Sequence, residues 1–204
     1  MLRYTPAVAA ALALSVACSA ADHATPAAQP AAAAATGGTP PGPAAGCLPG
    51  NEGFLRARLR GALDLDIDWP GDVIECTGGA RPDGSGLRVT IAGPLQSDGR
   101  RVRFVFGIAG GREGIDARDR PTNVTVIFEG ERRIFATQGD DKCTIDRLTQ
   151  QRTGPLGGPE RSWRVEARGF CLGPAATLKG DERLYVTSFD FAGRIDLRDE
   201  PTTP

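Results

Sequence analysis

Five carboxylates of this chain have the spacing of a calcium-binding loop. Their pattern, Asp-x-Asp-x-Asp-x-x-x-Asp-x-x-Glu, matches ligand positions of an EF-hand loop. They are Asp64, Asp66, Asp68, Asp72 and Glu75. Trp69 stands where that loop needs a glycine for its sharp turn, and Pro70 follows it. The next segment, CTGGARPDG, is not a helix-forming sequence. A strand with a solvated acidic face is therefore the preferred interpretation, and a weak calcium site is the alternative.

Several common kinds of catalysis are excluded by residue type. The one histidine is His23, so residues 47–204 hold neither a histidine-activated nucleophile nor a histidine-ligated zinc. The lysines, Lys142 and Lys179, do not stand three residues after a serine, and no P-loop or G-x-G-x-x-G motif occurs. Carboxylate chemistry remains possible. The adjacent pair Asp140-Asp141 is expected to shape a turn, so we favour a protein that is not an enzyme.

Five arginines near two predicted hairpins are candidates for an anion-binding patch. They are Arg100, Arg101, Arg103, Arg132 and Arg133. The basic residues of the chain are overwhelmingly arginine, so a solvated sheet face is the preferred interpretation of this group. The whole chain carries a net charge of −1. Such a balance argues against nucleic acid as a partner.

The N-terminal segment has the pattern of a bacterial export signal. Residues 1–18 carry a basic residue, Arg3, near their start. An alanine-rich apolar run follows that is too short to span a membrane. The run ends in a lipobox-like sequence, LSVAC, with Ser15 where leucine is usual. We expect Cys18 to be the site of lipid attachment, and Ser19 is compatible with sorting to the outer membrane. Ordinary signal-peptidase cleavage, which would leave a secreted protein, is the alternative.

Two further segments follow the signal. Residues 19–46 consist almost entirely of Ala, Pro, Gly and Thr, which predicts a disordered, extended tether. Residues 47–204 are long enough for one hydrophobic core and predict a single sheet-rich domain. We expect this domain to face the periplasm or the cell surface. Its expected partners are the membrane, through the lipid anchor, and an unidentified envelope protein or polymer.

Hydrophobic periodicity predicts an α+β fold. An N-terminal helix is predicted from apolar residues at helical spacing: Phe54, Leu55, Leu59, Ala62 and Leu63. Later segments alternate apolar and polar residues, and the turns Ser97-Asp98-Gly99 and Glu129-Gly130-Glu131 predict two hairpins. We expect about seven to nine strands. They would form a mainly antiparallel β-meander or sandwich-like sheet with one N-terminal helix.

The remaining four cysteines form an even set once Cys18 is set aside. They are Cys47, Cys76, Cys143 and Cys171. An even set in an exported chain predicts two disulfides. Three pairings are possible, and we prefer Cys47–Cys76 with Cys143–Cys171 because each pair brackets a compact section. A structural role is expected, since there is no Cys-x-x-Cys motif and no histidine to activate a thiol.

Three segments of the chain carry a resemblance to known sequences. NVTVIFEGERRIFATQGDDKCTID, ARGFC and TSFDFAGRIDL resemble a family of uncharacterised exported bacterial proteins of lipoprotein type, which has no assigned activity. The resemblance covers most of the chain from Phe54 onward. It implies a stably folded module and supplies no catalytic residues.

The function expected from the sequence is that of a cell-envelope lipoprotein with a non-catalytic binding or assembly module. The alternatives are a carboxylate-based hydrolase of envelope polymers and a weak calcium-dependent binding module. No cofactor other than that calcium ion is expected.

Overall fold

Antiparallel backbone pairing joins the eleven strands of the described residues into one sheet. The structure, a computed structural model, describes residues 47–154 and 160–198. The predicted signal segment, Cys18 and the tether lie outside the described residues. The strands are β1 (Phe54–Gly61), β2 (Leu65–Pro70), β3 (Glu75–Ala80), β4 (Gly86–Ala92), β5 (Arg101–Ala109), β6 (Arg120–Glu129), β7 (Arg133–Ala136), β8 (Cys143–Arg152), β9 (Glu160–Cys171), β10 (Ala175–Thr177) and β11 (Arg183–Arg198).

Two strand positions in the sheet are each occupied by a pair of strands, with an irregular segment between the two members of the pair. β7 and β8 lie end to end along one edge of β6, where Thr125 pairs with Ala136 and Thr122 pairs with Cys143. β10 and β9 lie end to end along β11 in the same way. With each interrupted pair taken as one line, the sheet is a meander in the order β3, β4, β5, β6, β7/β8, β9/β10, β11, β1, β2.

The sheet curls so that distant strands pack face to face. The ring of Phe106 on β5 lies 4.4 Å from that of Phe191 and 5.0 Å from that of Phe189, centroid to centroid, and both partners belong to β11. All three side chains are buried. Burial of a phenylalanine side chain stabilises a fold by roughly 1.5–3 kcal/mol, so this cluster is a major part of the core.

The prediction of an N-terminal helix is wrong, and so is the predicted α+β fold class. Residues 54–61 form β1, and the described ranges contain no α-helix, only a 3-10 turn at Pro49–Asn51. Leu55, Ala57 and Leu59 point inward and are at most 3% exposed, while the arginines that alternate with them face outward. The strand prevails because β1 forms backbone ladders with both β11 and β2. The fold is all-β.

Two disulfides connect the four cysteines of the described residues. They join Cys47 to Cys76 and Cys143 to Cys171, so the prediction of two disulfides is confirmed, with the preferred pairing. Cys143 and Cys171 are directly opposite residues of β8 and β9. Cys47 instead ties the segment before β1 to the edge strand β3. Because disulfides persist in oxidising compartments, they indicate an extracytoplasmic protein.

Both predicted hairpins are confirmed. β4 pairs with β5, and β6 pairs with β7. Their turns contain Gly99 with φ 81° and Gly130 with φ 87°, the left-handed conformation that glycine adopts readily. Within residues 47–154 and 160–198, no helix is long and apolar enough to cross a membrane.

Candidate functional site

The five carboxylates with calcium-loop spacing do not converge. Four of them have partners in or beside β1 and β5, and Asp72 lies in the turn after β2. The partners are the backbone N–H of Gly61 for Asp64, Arg60 for Asp66, Arg56 for Asp68 and Arg101 for Glu75. Among the described residues, no three metal-ligating side chains come together. The strand interpretation is confirmed for Leu65–Pro70.

Four of the five arginines in the predicted patch are paired with carboxylates. The pairs are Arg100 with Asp98 and Glu131, Arg101 with Glu129 and Glu75, Arg103 with Glu129, and Arg133 with Glu182. Strand register produces several of these pairs, since Arg101 lies directly opposite Glu129. The patch is therefore a surface of mutually neutralised charges rather than an open anion site.

Asp140 has a structural role in the segment between β7 and β8. Its two carboxylate oxygens accept hydrogen bonds from Arg81 Nη1 at 3.0 and 3.1 Å, and one also accepts from Asn123 Nδ2 at 2.7 Å. The Arg81 guanidinium is largely buried beneath this contact. These bonds fix the bend that carries Asp140, as the predicted turn role requires.

A row of charged side chains crosses the outer face of the sheet over five neighbouring strands. In register order from β2 through β1, β11 and β9 to β8, the row is Asp68, Arg56, Asp190, Arg168 and Arg147. The signs alternate from Asp68 to Arg168, which is favourable between directly opposite residues. At β8 the alternation ends, and two arginines stand opposite each other.

A third arginine extends the positive end of this row. Arg118 lies in a short antiparallel contact between residues 117–120 and 145–148, whose register places it beside Arg147. Arg118 and Arg147 line one groove of about 520 Å³, and Arg147 and Arg168 line an adjoining groove of about 160 Å³. We refer to Arg118, Arg147 and Arg168 as the arginine row.

Among the described residues, the members of the arginine row have no hydrogen-bonded or ion-paired side chain as a partner. None of the three has a hydrogen bond or an ion pair to another described side chain. Like charges directly opposite each other destabilise a sheet by a few tenths to about 1 kcal/mol. The row therefore costs stability in the free protein, and an anion placed between the guanidinium groups would turn that repulsion into attraction. Thr149, whose hydroxyl is a further donor, lines both grooves.

Gln150 of β8 positions the loop that carries Arg118. Its side-chain Nε2 donates to the carbonyl oxygens of Arg112 and Ile115 at 2.8 and 2.7 Å, and its Oε1 accepts from the N–H of Gly114 at 3.1 Å. Three bonds from one side chain hold the backbone of this loop against the strand. Arg118 is thus presented from an anchored segment.

Asp190 is the one carboxylate of the charged row without a hydrogen bond or an ion pair to a described residue. In register order Asp190 lies between Arg56 and Arg168, and it lines the 160 Å³ groove with Arg168 and Glu166. Burial raises the pKa of the Asp190 carboxyl above its ordinary value, and Glu166 adds to the rise, while Arg56 and Arg168 oppose it. Asp190 is therefore an accessible hydrogen-bond acceptor next to the arginine row.

Sequence reasoning missed the arginine row because no local pattern marks it. Arg147 and Arg168 face each other only through the β8–β9 register, which shifts between Ile145 and Arg147. That bulge leaves both Ile145 and Leu148 buried, so simple alternation does not identify Arg147 as an outer-face neighbour of Arg168. The β8–β9 hairpin with its disulfide was the one available signal.

Comparison with known proteins does not assign the chain to a family. No family model matches it, and neither a curated protein nor a solved structure matches it significantly.

Proposed function

We propose that this protein is a cell-envelope lipoprotein whose sheet domain is a non-catalytic binding module. The binding surface is the outer face of β1, β11, β9 and β8, with the arginine row at its β8 end. The lipid anchor at Cys18, the tether of residues 19–46 and the resemblance to exported bacterial proteins are parts of this proposal. The disulfides support its extracytoplasmic setting.

One observation carries the binding role. Many arginines on this surface have a carboxylate partner, as Arg56, Arg60 and Arg164 do, whereas the three adjacent ones of the arginine row have none among the described residues. Unpaired like charges held side by side repel each other. A ligand or partner with negative charge that binds between them removes this repulsion.

Sedimentation with isolated cell envelopes tests the binding role. The purified chain without acyl groups is expected to co-sediment, and the double variant Arg147→Gln/Arg168→Gln of this form is expected to lose about tenfold or more in apparent affinity. Arg88→Gln is the matched control, because Arg88 is an exposed outer-face arginine of β4 without an ion pair to a described residue. Equal loss in both variants would refute a specific role for the row.

Intact-mass analysis of the mature protein tests the anchor. We expect a membrane-bound species that begins at Cys18 and carries acyl mass. After reduction it should gain one hydrogen on each of the four other cysteines, Cys47, Cys76, Cys143 and Cys171. A soluble species without acyl mass would refute the lipoprotein assignment and leave a secreted binding protein.

A carboxylate-based hydrolase of envelope polymers is the second candidate. Its support is that Asp190, with its raised pKa, lines the same groove as Glu166. Two carboxyl groups in different environments are the usual acid and base of glycoside hydrolysis. Incubation of the chain with envelope polysaccharide, followed by assay of new reducing ends, tests this candidate. It predicts turnover that falls by about a hundredfold or more in Asp190→Asn.

A further inference from the structure

We propose that the groove between the arginine row and Asp190 binds a phosphorylated sugar, with the phosphate on the arginines and a sugar hydroxyl on the Asp190 carboxylate. This assignment rests on the proposed function, because it names the ligand of the same surface. It adds the chemical class of that ligand and a role for Asp190.

The arginine row provides the phosphate subsite. Neighbouring strands lie about 5 Å apart, so the backbone positions of the three arginines span about 10 Å across the sheet. Long guanidinium side chains at that spacing can converge on one group between them. A phosphate monoester offers three terminal oxygens, and the guanidinium fork donates to such oxygens in pairs. Arg147 belongs to both grooves and is therefore the central residue of this subsite.

Asp190 and Glu166 determine what the rest of the ligand must be. Both carboxylates line the 160 Å³ groove with Arg147 and Arg168. A ligand with negative charge along its whole length would be repelled at this end of the groove. A ligand that is anionic at one end and donates hydrogen bonds at the other matches both ends. Sugar hydroxyls are such donors.

Glu166 is already engaged, which leaves Asp190 as the acceptor. The Glu166 carboxylate forms an ion pair with Arg164 at 3.1 Å. Asp190 has no such partner, and it lies directly opposite Arg168 on the adjacent strand. A phosphate on Arg168 therefore places the attached sugar within reach of Asp190.

The size of the groove favours a small ligand. Its volume of about 160 Å³ is below the range of roughly 300–1,000 Å³ that is usual for pockets enclosing drug-sized molecules. A single sugar unit, or the end of a longer glycan, suits this groove, and its phosphate lies towards Arg147, where the groove of about 520 Å³ that Arg118 lines adjoins.

Calorimetric titration of the oxidised chain tests the assignment with glucose 6-phosphate, inorganic phosphate and glucose as probes. Glucose 6-phosphate is expected to bind about tenfold more tightly than inorganic phosphate, because it adds the hydrogen bond to Asp190. Glucose alone is expected to show no binding. The double variant Arg147→Gln/Arg168→Gln should no longer bind glucose 6-phosphate or inorganic phosphate, whereas Arg88→Gln should still bind both.

The variant Asp190→Ala separates the two subsites. It removes both the negative charge and the hydrogen-bond acceptor, so it is expected to strengthen the binding of inorganic phosphate and to abolish the preference for glucose 6-phosphate. If Asp190→Ala keeps that preference, or if inorganic phosphate binds the unaltered chain as tightly as glucose 6-phosphate does, the sugar assignment is overturned.

Two further outcomes would overturn the proposal in different ways. A stronger response to phosphoethanolamine than to glucose 6-phosphate would assign an ammonium group, not a hydroxyl, to Asp190. Absence of binding by every phosphate probe would refute the ligand class. In that case envelope sedimentation that still depends on Arg147 and Arg168 would leave the proposed binding module intact, so the two failures are distinguishable.

Discussion

At the scale of single residues, Glu113 links the loop before β6 to strand β9. Its carboxylate accepts hydrogen bonds from the indole Nε1 of Trp163 at 2.9 Å and from the guanidinium of Arg161. The Trp163 ring covers Gly114, where an added Cβ would lie 2.7 Å from the ring. Together with Gln150, these contacts fix the segment that presents Arg118.

Replacement of Glu113 by alanine is expected to destabilise the protein by about 1–3 kcal/mol, because it leaves the Trp163 N–H and Arg161 without this acceptor. Urea unfolding followed by tryptophan fluorescence measures the change. Glu160→Ala is the control: it removes an ion pair with Arg198 that is largely exposed, and such pairs contribute about 0–1 kcal/mol. Equal losses in the two variants would contradict the anchoring role of Glu113.

The same carboxylate makes stability depend on pH in a defined direction. Hydrogen bonding from Arg161 lowers the pKa of Glu113 below its ordinary value, although burial opposes the shift. The stabilisation is therefore present above the ordinary glutamate pKa and is lost as the pH falls through the lowered one. In Glu113→Gln, the difference in unfolding free energy from the unaltered protein is expected to shrink across that acidic window. A difference that is constant with pH would contradict this.

Asp190 is expected to behave in the opposite way. Because burial raises its pKa, its contribution to stability is present below the ordinary aspartate pKa and is lost as the pH rises through the raised value. Asp190→Asn should therefore stabilise the fold at neutral pH, by about 0.5 kcal/mol or less for a partly exposed position. The gain should vanish in acid. Thermal unfolding at neutral and acidic pH measures both values, and a loss of stability at neutral pH would contradict the argument.

At the scale of elements, Gly169 shows how strand β9 fits between its neighbours. It pairs with Ile145 of β8 and Phe189 of β11. A Cβ at this position would lie 2.1 Å from the carbonyl oxygen of Thr144 and 2.6 Å from the Phe189 ring. The Phe189 ring thus occupies the space that a side chain would need.

Gly169→Ala is expected to destabilise the protein by about 1–3 kcal/mol, because the added methyl group forces backbone or the buried Phe189 to move. Gly154→Ala is the matched control, since its Cβ would meet no atom closer than 3.4 Å. Chemical unfolding of both variants gives the comparison. A Gly169 variant as stable as the control would show that β9 has room to shift.

The β1 segment shows why element type was only partly predictable. Leu55 and Leu59 satisfy both a helical spacing and a period of two, and Ala57 is compatible with either. The strict alternation of the arginines favoured the strand, but its decisive partner is β11, more than a hundred residues later. The β4–β5 hairpin could be predicted without any distant part of the chain, since Gly99 marks its turn in the local sequence. The arginine row depends entirely on non-local register and therefore lay beyond prediction.

At the scale of the whole molecule, the two disulfides restrain different parts of the sheet. Cys143–Cys171 reinforces two strands that a backbone ladder already joins. Cys47–Cys76 instead holds the segment before β1 against β3, which pairs with β4 alone. Their sequence separations, 28 and 29 residues, are nearly equal.

Removal of either disulfide by double serine substitution is therefore expected to cost a similar free energy, about 3.6 kcal/mol in the chain-entropy model. The local effects should differ. Hydrogen exchange is expected to accelerate at residues 47–53 and in β3 without Cys47–Cys76, whereas β8 and β9 should keep their protection without Cys143–Cys171. Loss of protection throughout β8 and β9 in the second variant would contradict this division.

The position of β1 has a consequence for the order in which the chain can fold. Leu55 of β1 pairs with Phe191 of β11, so β1 can join the sheet only after β11 is available. A chain that emerges from an export channel N-terminus first would leave β1 and β2 as an unsupported hairpin until the final strand follows. Early segments must then wait, exposed to proteases and to premature thiol pairing. Completion of the sheet by β1 and β2 is therefore a late step.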